Sequence, residues 1–434
     1  MKFFRQKTPI TGTATVGSDK SCSHRALIIA SQMIGVCKIT NLLEAEDVMA
    51  TKEALQKLGV KILKEGDTYL VYGNGRASLV SPKDVLNLGN SGTGVRLLMG
   101  LIATQPVQAV FTGDESLTRR PMARVLEPLE NYNFTASARE NNFLPIHISG
   151  NSDAVAINYE LKLASAQVKT ALLLAAINAC GTTNITEKKY TRDHTELMMQ
   201  YLGFDLQIMP QNNCKTISLT VNEDIVAKDI NINGDPSSAA FLAAAALLVK
   251  DSEIVLKNIM INEYRIGFYK VLQMMGAELY FENVRLDTGE KIADIRVKYS
   301  KLKGVVVPAK IAASMIDEYP ILAILAVRAE GVTRMEGLEE LRVKESDRLN
   351  AIYKNLIKCG VEANCGDDWL EVKYSDKIYA DEIIKTYNDH RIAMSFLILG
   401  LVSDSAIEVD DVKMINTSFP EFFSKLKQLG VKLD

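Results

Sequence analysis

Six times along this chain, a cluster of small or polar residues is followed by an apolar run long enough for a helix. The segments are DKSCSHRALIIAS (19–31), NSGTGVRLLMGLIA (90–103), ASAQVKTALLLAAINA (164–179), DPSSAAFLAAAALLV (235–249), SMIDEYPILAILAVRA (314–329) and NDHRIAMSFLILGLV (388–402). Their landmarks Ser21, Ser91, Ser165, Ser237, Ser314 and Asn388 recur every 70 to 77 residues. Each run is apolar around its whole circumference, the pattern of a helix buried on all sides.

A second marker keeps the same period. Amphipathic segments end in glycine and pass into strand-like runs: ALQKLGVKIL, MMQYLGFDLQI, LQMMGAELYF, LIKCGVEANC and KLKQLGVKLD, with Gly59, Gly203, Gly276, Gly360 and Gly430 at the ends. In the second unit Asn133 takes that place, as the next-best residue for the left-handed conformation that stops a helix. Two independent markers at one period predict an internal repeat of buried helix, strand, amphipathic helix and two strands.

Six such units exceed one core, and the even division is three per domain. The expected domains are 20–233, and 1–19 together with 234–434, with the boundary near NINGDPSS. The stretch FRQKTPITGTATV precedes the first unit and is expected to complete the sheet of the last.

Composition narrows the class. A chain with 47% hydrophobic and 24% charged residues is that of a globular protein, and a net charge of −3 predicts no general affinity for nucleic acid or an anionic membrane. The longest apolar stretch, 239–249, is too short to span a bilayer, and the N-terminus has no signal-peptide core. Six cysteines without CxxC spacing read as cytoplasmic thiols, and the four histidines show no metal-ligand spacing. The expected protein is cytoplasmic, monomeric and without a metal.

The chemistry gathers at the helix starts. If the units are related by rotation, the buried helices run parallel, and their N–H groups and dipoles converge as an anion site. Lys20, Ser21 and Arg25 open the first helix, and Asn90, Gly92, Thr93 and Arg96 the second. Ser165, Gln167 and Lys169 open the third. TRRPMAR adds Arg119, Arg120 and Arg124 at an outer helix with proline in its first turn. LRVKESDR adds Arg342, Lys344, Glu345 and Arg348, and NDHR adds His390 and Arg391. Taken singly, these are caps and solvated faces; together, in a net-acidic chain, they predict a substrate with several anionic groups. Asp317 and Glu345 stand among the cations, where a carboxylate stays ionised and can act as a base.

The motifs DKSCSHRAL, LGNSGTGVRLL, RRPMARVLEPL, ASAQVKTALLLA, TRDHTELM, GDPSSAAFLAAAALL, LRVKESDRL, NDHRIAMSF and SFPEFF, in this order over nearly the whole chain, resemble the enolpyruvyl transferase family, in its branch acting on shikimate 3-phosphate. The resemblance implies an α/β fold, a two-domain inside-out α/β barrel of six βαβαββ repeats closing on substrate at the cleft between domains. It implies that phosphoenolpyruvate and shikimate 3-phosphate give an enolpyruvyl ether and phosphate without a cofactor, a step toward chorismate and the aromatic amino acids.

By motif, Lys20, Ser21, Arg25, Ser165, Gln167, Thr191, Arg192, Asp317 and Lys344 would hold shikimate 3-phosphate. Lys20, Gly92, Arg120, Gln167, Arg348 and Arg391 would hold phosphoenolpyruvate, with Asn90, Thr93, Arg96 and His390 supporting. Asp317 would be the general base, Glu345 would protonate the methylene carbon, and Lys20 would touch both substrates. Three positions depart from the family pattern: Gly17-Ser18 replaces the usual proline-glycine, Thr191 the usual serine, and Thr417 a lysine of the other branch. Gly92 leaves the space that glyphosate uses in sensitive members. The alternatives are the sister transferase acting on a UDP-amino sugar, whose loop cysteine is absent from TGDESLTRRP, and a repeat scaffold that only binds phosphometabolites.

Overall fold

The computed structural model describes residues 1–211 and 214–433. Two compact units are distinguishable, Ser18–Ile232 with Asp287–Glu290, and Met1–Gly17, Asn233–Leu286 and Lys291–Asp434.

The six apolar runs form the helices Lys20–Ala30, Gly92–Ile102, Ala166–Ala176, Pro236–Leu248, Tyr319–Val327 and His390–Gly400. Every residue of Pro236–Leu248 and of Tyr319–Val327 is buried, as runs without a polar face require. Within each unit the three buried helices pack on one another. Gly100 permits a close approach: a Cβ there would lie 2.6 Å from the Cα of Ala171 on the neighbouring helix. The period marker has the backbone it implied, since Gly59, Gly203, Gly276, Gly360, Gly430 and Asn133 all have positive φ.

Among the described residues, five sheets have four strands in one topology. A strand preceding the buried helix lies parallel to the strand that follows it, and the closing hairpin adds antiparallel on the other side, as in Asn158–Glu160, Thr182–Glu187, Cys214–Thr220 and Asp205–Gln211. Two first strands are exchanged. Thr11–Thr15 precedes the Lys20 helix but pairs with Glu253–Met260, whereas Ile230–Asn231 precedes the Pro236 helix but pairs with Ile34–Thr40.

The sixth repeat is reduced. Its sheet is the pair Lys2–Phe3 with Ile407–Glu408, plus one parallel bridge from Ile384 to Val409. The expectation that FRQKTPITGTATV (4–16) completes the last sheet is therefore corrected: its strand Thr11–Thr15 serves the fourth repeat, and it is Lys2–Phe3, ahead of that stretch, that pairs in the sixth. Among the described residues, no helix is long and apolar enough to cross a membrane.

Candidate active site

In the unit holding the first three repeats, the helix starts are joined side chain to side chain. Arg96 Nη1 donates to Gln167 Oε1 at 2.9 Å, and Gln167 Nε2 donates to Thr93 Oγ1 at 2.9 Å. Arg120 Nη2 donates to Asn90 Oδ1 at 2.7 Å, and Asn90 Nδ2 in turn bonds Asp114 at 2.7 Å. A Cβ on Gly92 would lie 3.1 Å from Arg120 Nη1 and 3.2 Å from Arg96 Nη1, so both guanidinium groups close over the bare first turn.

The Lys20 helix is capped by Asp19, whose Oδ1 accepts from the Cys22 amide at 2.7 Å. Lys20 forms an ion pair with Asp47. Arg25 is buried, donating to Thr195 Oγ1 at 2.8 Å, Thr170 Oγ1 at 2.9 Å and the Ser21 carbonyl at 2.9 Å. Burial lowers its pKa from the ordinary value, opposed by Cys22, Asp19 and Glu196; a guanidinium in a protein keeps its proton all the same. His24 beside it is held neutral, its pKa pulled well down by burial and by the Lys20 and Arg25 charges.

A buried ion cluster supports the third helix. Lys169 Nζ lies 2.5 Å from Glu196 and 3.2 Å from Glu187, and Lys215 lies 2.8 Å from Glu187. Thr191 Oγ1 donates to the other Glu187 oxygen at 2.9 Å, so its hydroxyl faces this cluster, and of the pair Thr191–Arg192 the arginine is the more exposed. Ser165 caps its own helix, its hydroxyl accepting from the Val168 amide at 3.4 Å. Cys22, His194 and Glu290 are buried with their ligand atoms within 4.8 Å of one another, but His194 Nδ1 and Glu290 Oε1 are 2.6 Å apart. That is a hydrogen bond, too short to bracket a metal ion.

Two local expectations are corrected here. The outer helix begins at Ala123, so Pro121 lies before it rather than in its first turn. Arg119 pairs with Glu115 on the exposed surface, apart from the Asn90–Arg120 group.

In the other unit the centre is Arg348, whose side chain is 1% exposed. Its Nε donates to Asp389 Oδ2 at 2.8 Å, its Nη2 to Glu345 Oε2 at 2.5 Å and its Nη1 to Asp317 Oδ1 at 3.3 Å. Burial disfavours its charge, yet the carboxylates of Asp389, Glu345 and Asp317 outweigh burial and raise its pKa above the ordinary value. Asp317 and Glu345 remain partly open, at 17% and 23% side-chain exposure. Lys344 Nζ lies 4.0 Å from the Asp317 carboxylate. Asp317 occupies a turn two residues ahead of the Tyr319 helix.

Arg391 Nη1 donates to the Asp317 carbonyl at 3.0 Å, which binds the start of the His390 helix to that of the Tyr319 helix. Asp389 caps the His390 helix through the Arg391 amide at 2.9 Å. His390 Nδ1 is 3.5 Å from Thr417 Oγ1. Sequence reasoning missed Asp389, Asp47, Asp114 and Glu318. For Asp389 a signal existed, an aspartate directly before an apolar helix; the partners of Lys20 and Asn90 are distant in sequence and carry none.

Thus the structure joins Asn90, Gly92, Thr93, Arg96, Arg120 and Gln167 in one unit, and Asp317, Lys344, Glu345, Arg348 and Arg391 in the other. These groups offer fixed cations with two accessible carboxylates, a set suited to binding phosphorylated acids and moving protons between them.

A family model described as EPSP synthase (3-phosphoshikimate 1-carboxyvinyltransferase) matches residues 4–426. The 3-phosphoshikimate 1-carboxyvinyltransferase of Rhizobium johnstonii is 46% identical over 99% of this chain and 96% of the relative, and that of Paramagnetospirillum magneticum is 45% identical over 99% and 97%. A solved EPSP synthase from Acinetobacter baumannii superposes with a TM-score of 0.89 at 36% identity, covering 100% of this chain and 98% of that one.

Proposed function

The chain belongs to the EPSP synthase (3-phosphoshikimate 1-carboxyvinyltransferase) family, and from that premise we propose how its residues divide the work. The protein transfers the enolpyruvyl group of phosphoenolpyruvate to the 5-hydroxyl of shikimate 3-phosphate and releases phosphate. The observation that carries our assignment is the guanidinium of Arg348 holding two partly open carboxylates, Asp317 and Glu345, in fixed places.

Asp317 accepts the proton of the 5-hydroxyl while the oxygen attacks C2 of phosphoenolpyruvate. Glu345 delivers a proton to the methylene carbon, completing addition across the double bond. Glu345 then takes a proton back from the new methyl group, and phosphate leaves with the proton that Asp317 had accepted, so the enolpyruvyl ether forms and both carboxyl groups return to their starting state. Lys20, Ser21, Arg25, Ser165, Gln167, Arg192 and Lys344 hold shikimate 3-phosphate. Lys20, Arg120, Gln167, Arg348 and Arg391 hold phosphoenolpyruvate, with the bare Gly92 turn donating from its backbone. Thr191 acts through Glu187 rather than on the phosphate.

Arg348 also orients the two carboxylates, since three of its N–H donors are given to acids. The same reading makes the protein a cytoplasmic monomer, inhibited by glyphosate, that needs no metal or organic cofactor.

The test is acceptor choice. Supplied with phosphoenolpyruvate and either shikimate 3-phosphate or UDP-N-acetylglucosamine, the protein forms an enolpyruvyl ether only with the former, read by mass spectrometry. Transfer to the amino sugar would refute the assignment.

A further inference from the structure

Three buried side chains beneath the Arg391 helix start have no part in the chemistry above: Ser237, Glu318 and Arg265. The Ser237 hydroxyl donates to Glu318 Oε1 and accepts from Arg265 Nη2 at 2.9 Å. Arg265 Nη2 also donates to Asp235 Oδ1 at 2.9 Å. A guanidinium can only donate, and a hydroxyl has one proton. Arg265 therefore fixes the direction of the Ser237 bond, and Glu318 receives it as an acceptor.

Glu318 Oε1 lies 3.7 Å from Arg391 Nη1, the same nitrogen that donates to the Asp317 carbonyl at 3.0 Å. The four charged groups Arg265, Asp235, Glu318 and Arg391 balance, two cations against two anions. Both contacts fall on Nη1 and leave the remaining edge of the planar fork for a ligand carboxylate. A long arginine side chain is costly to order, and a buried counter-ion removes that cost before the substrate arrives.

We propose that Glu318 is a positioning residue for Arg391, aimed by Ser237 and Arg265, and that it sets the affinity for the enolpyruvyl donor and not for the acceptor. This rests on the reading that Arg391 holds phosphoenolpyruvate. Glu318 touches no reacting atom.

The experiment is steady-state kinetics of the full chain with each substrate varied in turn, beside thermal unfolding. Glu318→Gln keeps size and hydrogen-bonding capacity but removes the charge. It raises KM for phosphoenolpyruvate about tenfold, as expected for losing one charge-assisted contact, and leaves KM for shikimate 3-phosphate within about twofold. Ser237→Ala raises the same KM by about threefold, because the carboxylate loses its guide but keeps its charge, and Ser237→Thr restores it. If Glu318→Gln does not fold, the Ser237 pair gives the readout.

Arg391→Ala separates the layers. If it leaves KM for phosphoenolpyruvate unchanged, the role of Arg391 falls and this proposal falls with it. If Arg391→Ala raises that KM while Glu318→Gln and Ser237→Ala do not, the positioning proposal alone is overturned. Equal rises in both KM values would also overturn it, since they mark general loosening.

Discussion

Arg96 donates through Nη1 to the side-chain oxygen of Gln167 at 2.9 Å, tying the first turns of two buried helices that lie 71 residues apart in sequence. A charge just inside an apolar helix is thereby explained: it is spent on the neighbouring helix start. Gln167 passes the link back through Thr93. Replacing Gln167 with alanine breaks both bonds. KM for both substrates then rises about tenfold, since each lost contact involves a residue placed at their common site, one of them charged. Kinetics with each substrate varied in turn checks this, and a rise confined to one substrate would assign Gln167 to that substrate alone.

Gly92 is where space decides. A methyl group there meets two guanidinium nitrogens, at 3.1 and 3.2 Å, and long side chains can yield by a few tenths of an ångström. Gly92→Ala therefore folds normally but shifts Arg120 and Arg96. We expect KM for phosphoenolpyruvate to rise roughly fivefold or more, with a melting temperature within a few degrees of the parent, because the strain falls on flexible groups and not on the core.

Arg348 is buried against three acids, of which Asp389 is fully buried. Arg348→Met removes the cation and leaves Asp389 without its charged partner. Breaking a buried pair from one side costs about 3–5 kcal/mol, so denaturant unfolding shifts by that order and activity is lost. The double variant Arg348→Met with Asp389→Asn recovers part of the stability and none of the activity, since Asp317 and Glu345 still lack their anchor.

His24 provides a pH signature. Its folded pKa lies well below 6.5, through burial first and then the Lys20 and Arg25 charges. The unfolded chain takes up this proton near 6.5 and the folded one does not. Stability from neutral His24 is thus complete above 6.5 and falls as pH drops below it, by up to about 1.4 kcal/mol per pH unit. His24 Nδ1 lies 2.8 Å from Thr51 Oγ1, and His24→Gln, which keeps a partner for Thr51, flattens the unfolding free energy between pH 6.5 and 5. An unchanged slope would show that His24 does not remain neutral.

Much of this was legible in the sequence, for reasons particular residues make clear. Buried helices have no polar face to mislead, so their spans and the glycine and asparagine stops could be read directly. The cations at the helix starts were found because a charge at the head of an apolar run is conspicuous. The exchanged strands were not legible: Thr11–Thr15 and Ile230–Asn231 have the same alternating pattern whichever sheet they join, and only tertiary pairing decides. The sixth repeat looked complete because its helix and its glycine kept the period, while the strands that carry no such marker had shrunk. The start of the fifth helix was not legible either: the run SMIDEYPILAILAVRA begins at 314, but the helix begins at Tyr319, because the turn before it has no distinctive residue pattern.

The account stands most directly on one assay: phosphate release by the wild type and by Asp317→Asn, with each substrate alone and with both. The wild type should release phosphate only when phosphoenolpyruvate and shikimate 3-phosphate are both present, one phosphate for each ether formed. Asp317→Asn should slow release by roughly a thousandfold, the scale of a lost general base, at an unchanged melting temperature. Phosphate released from phosphoenolpyruvate alone, or a variant as fast as the wild type, would contradict it.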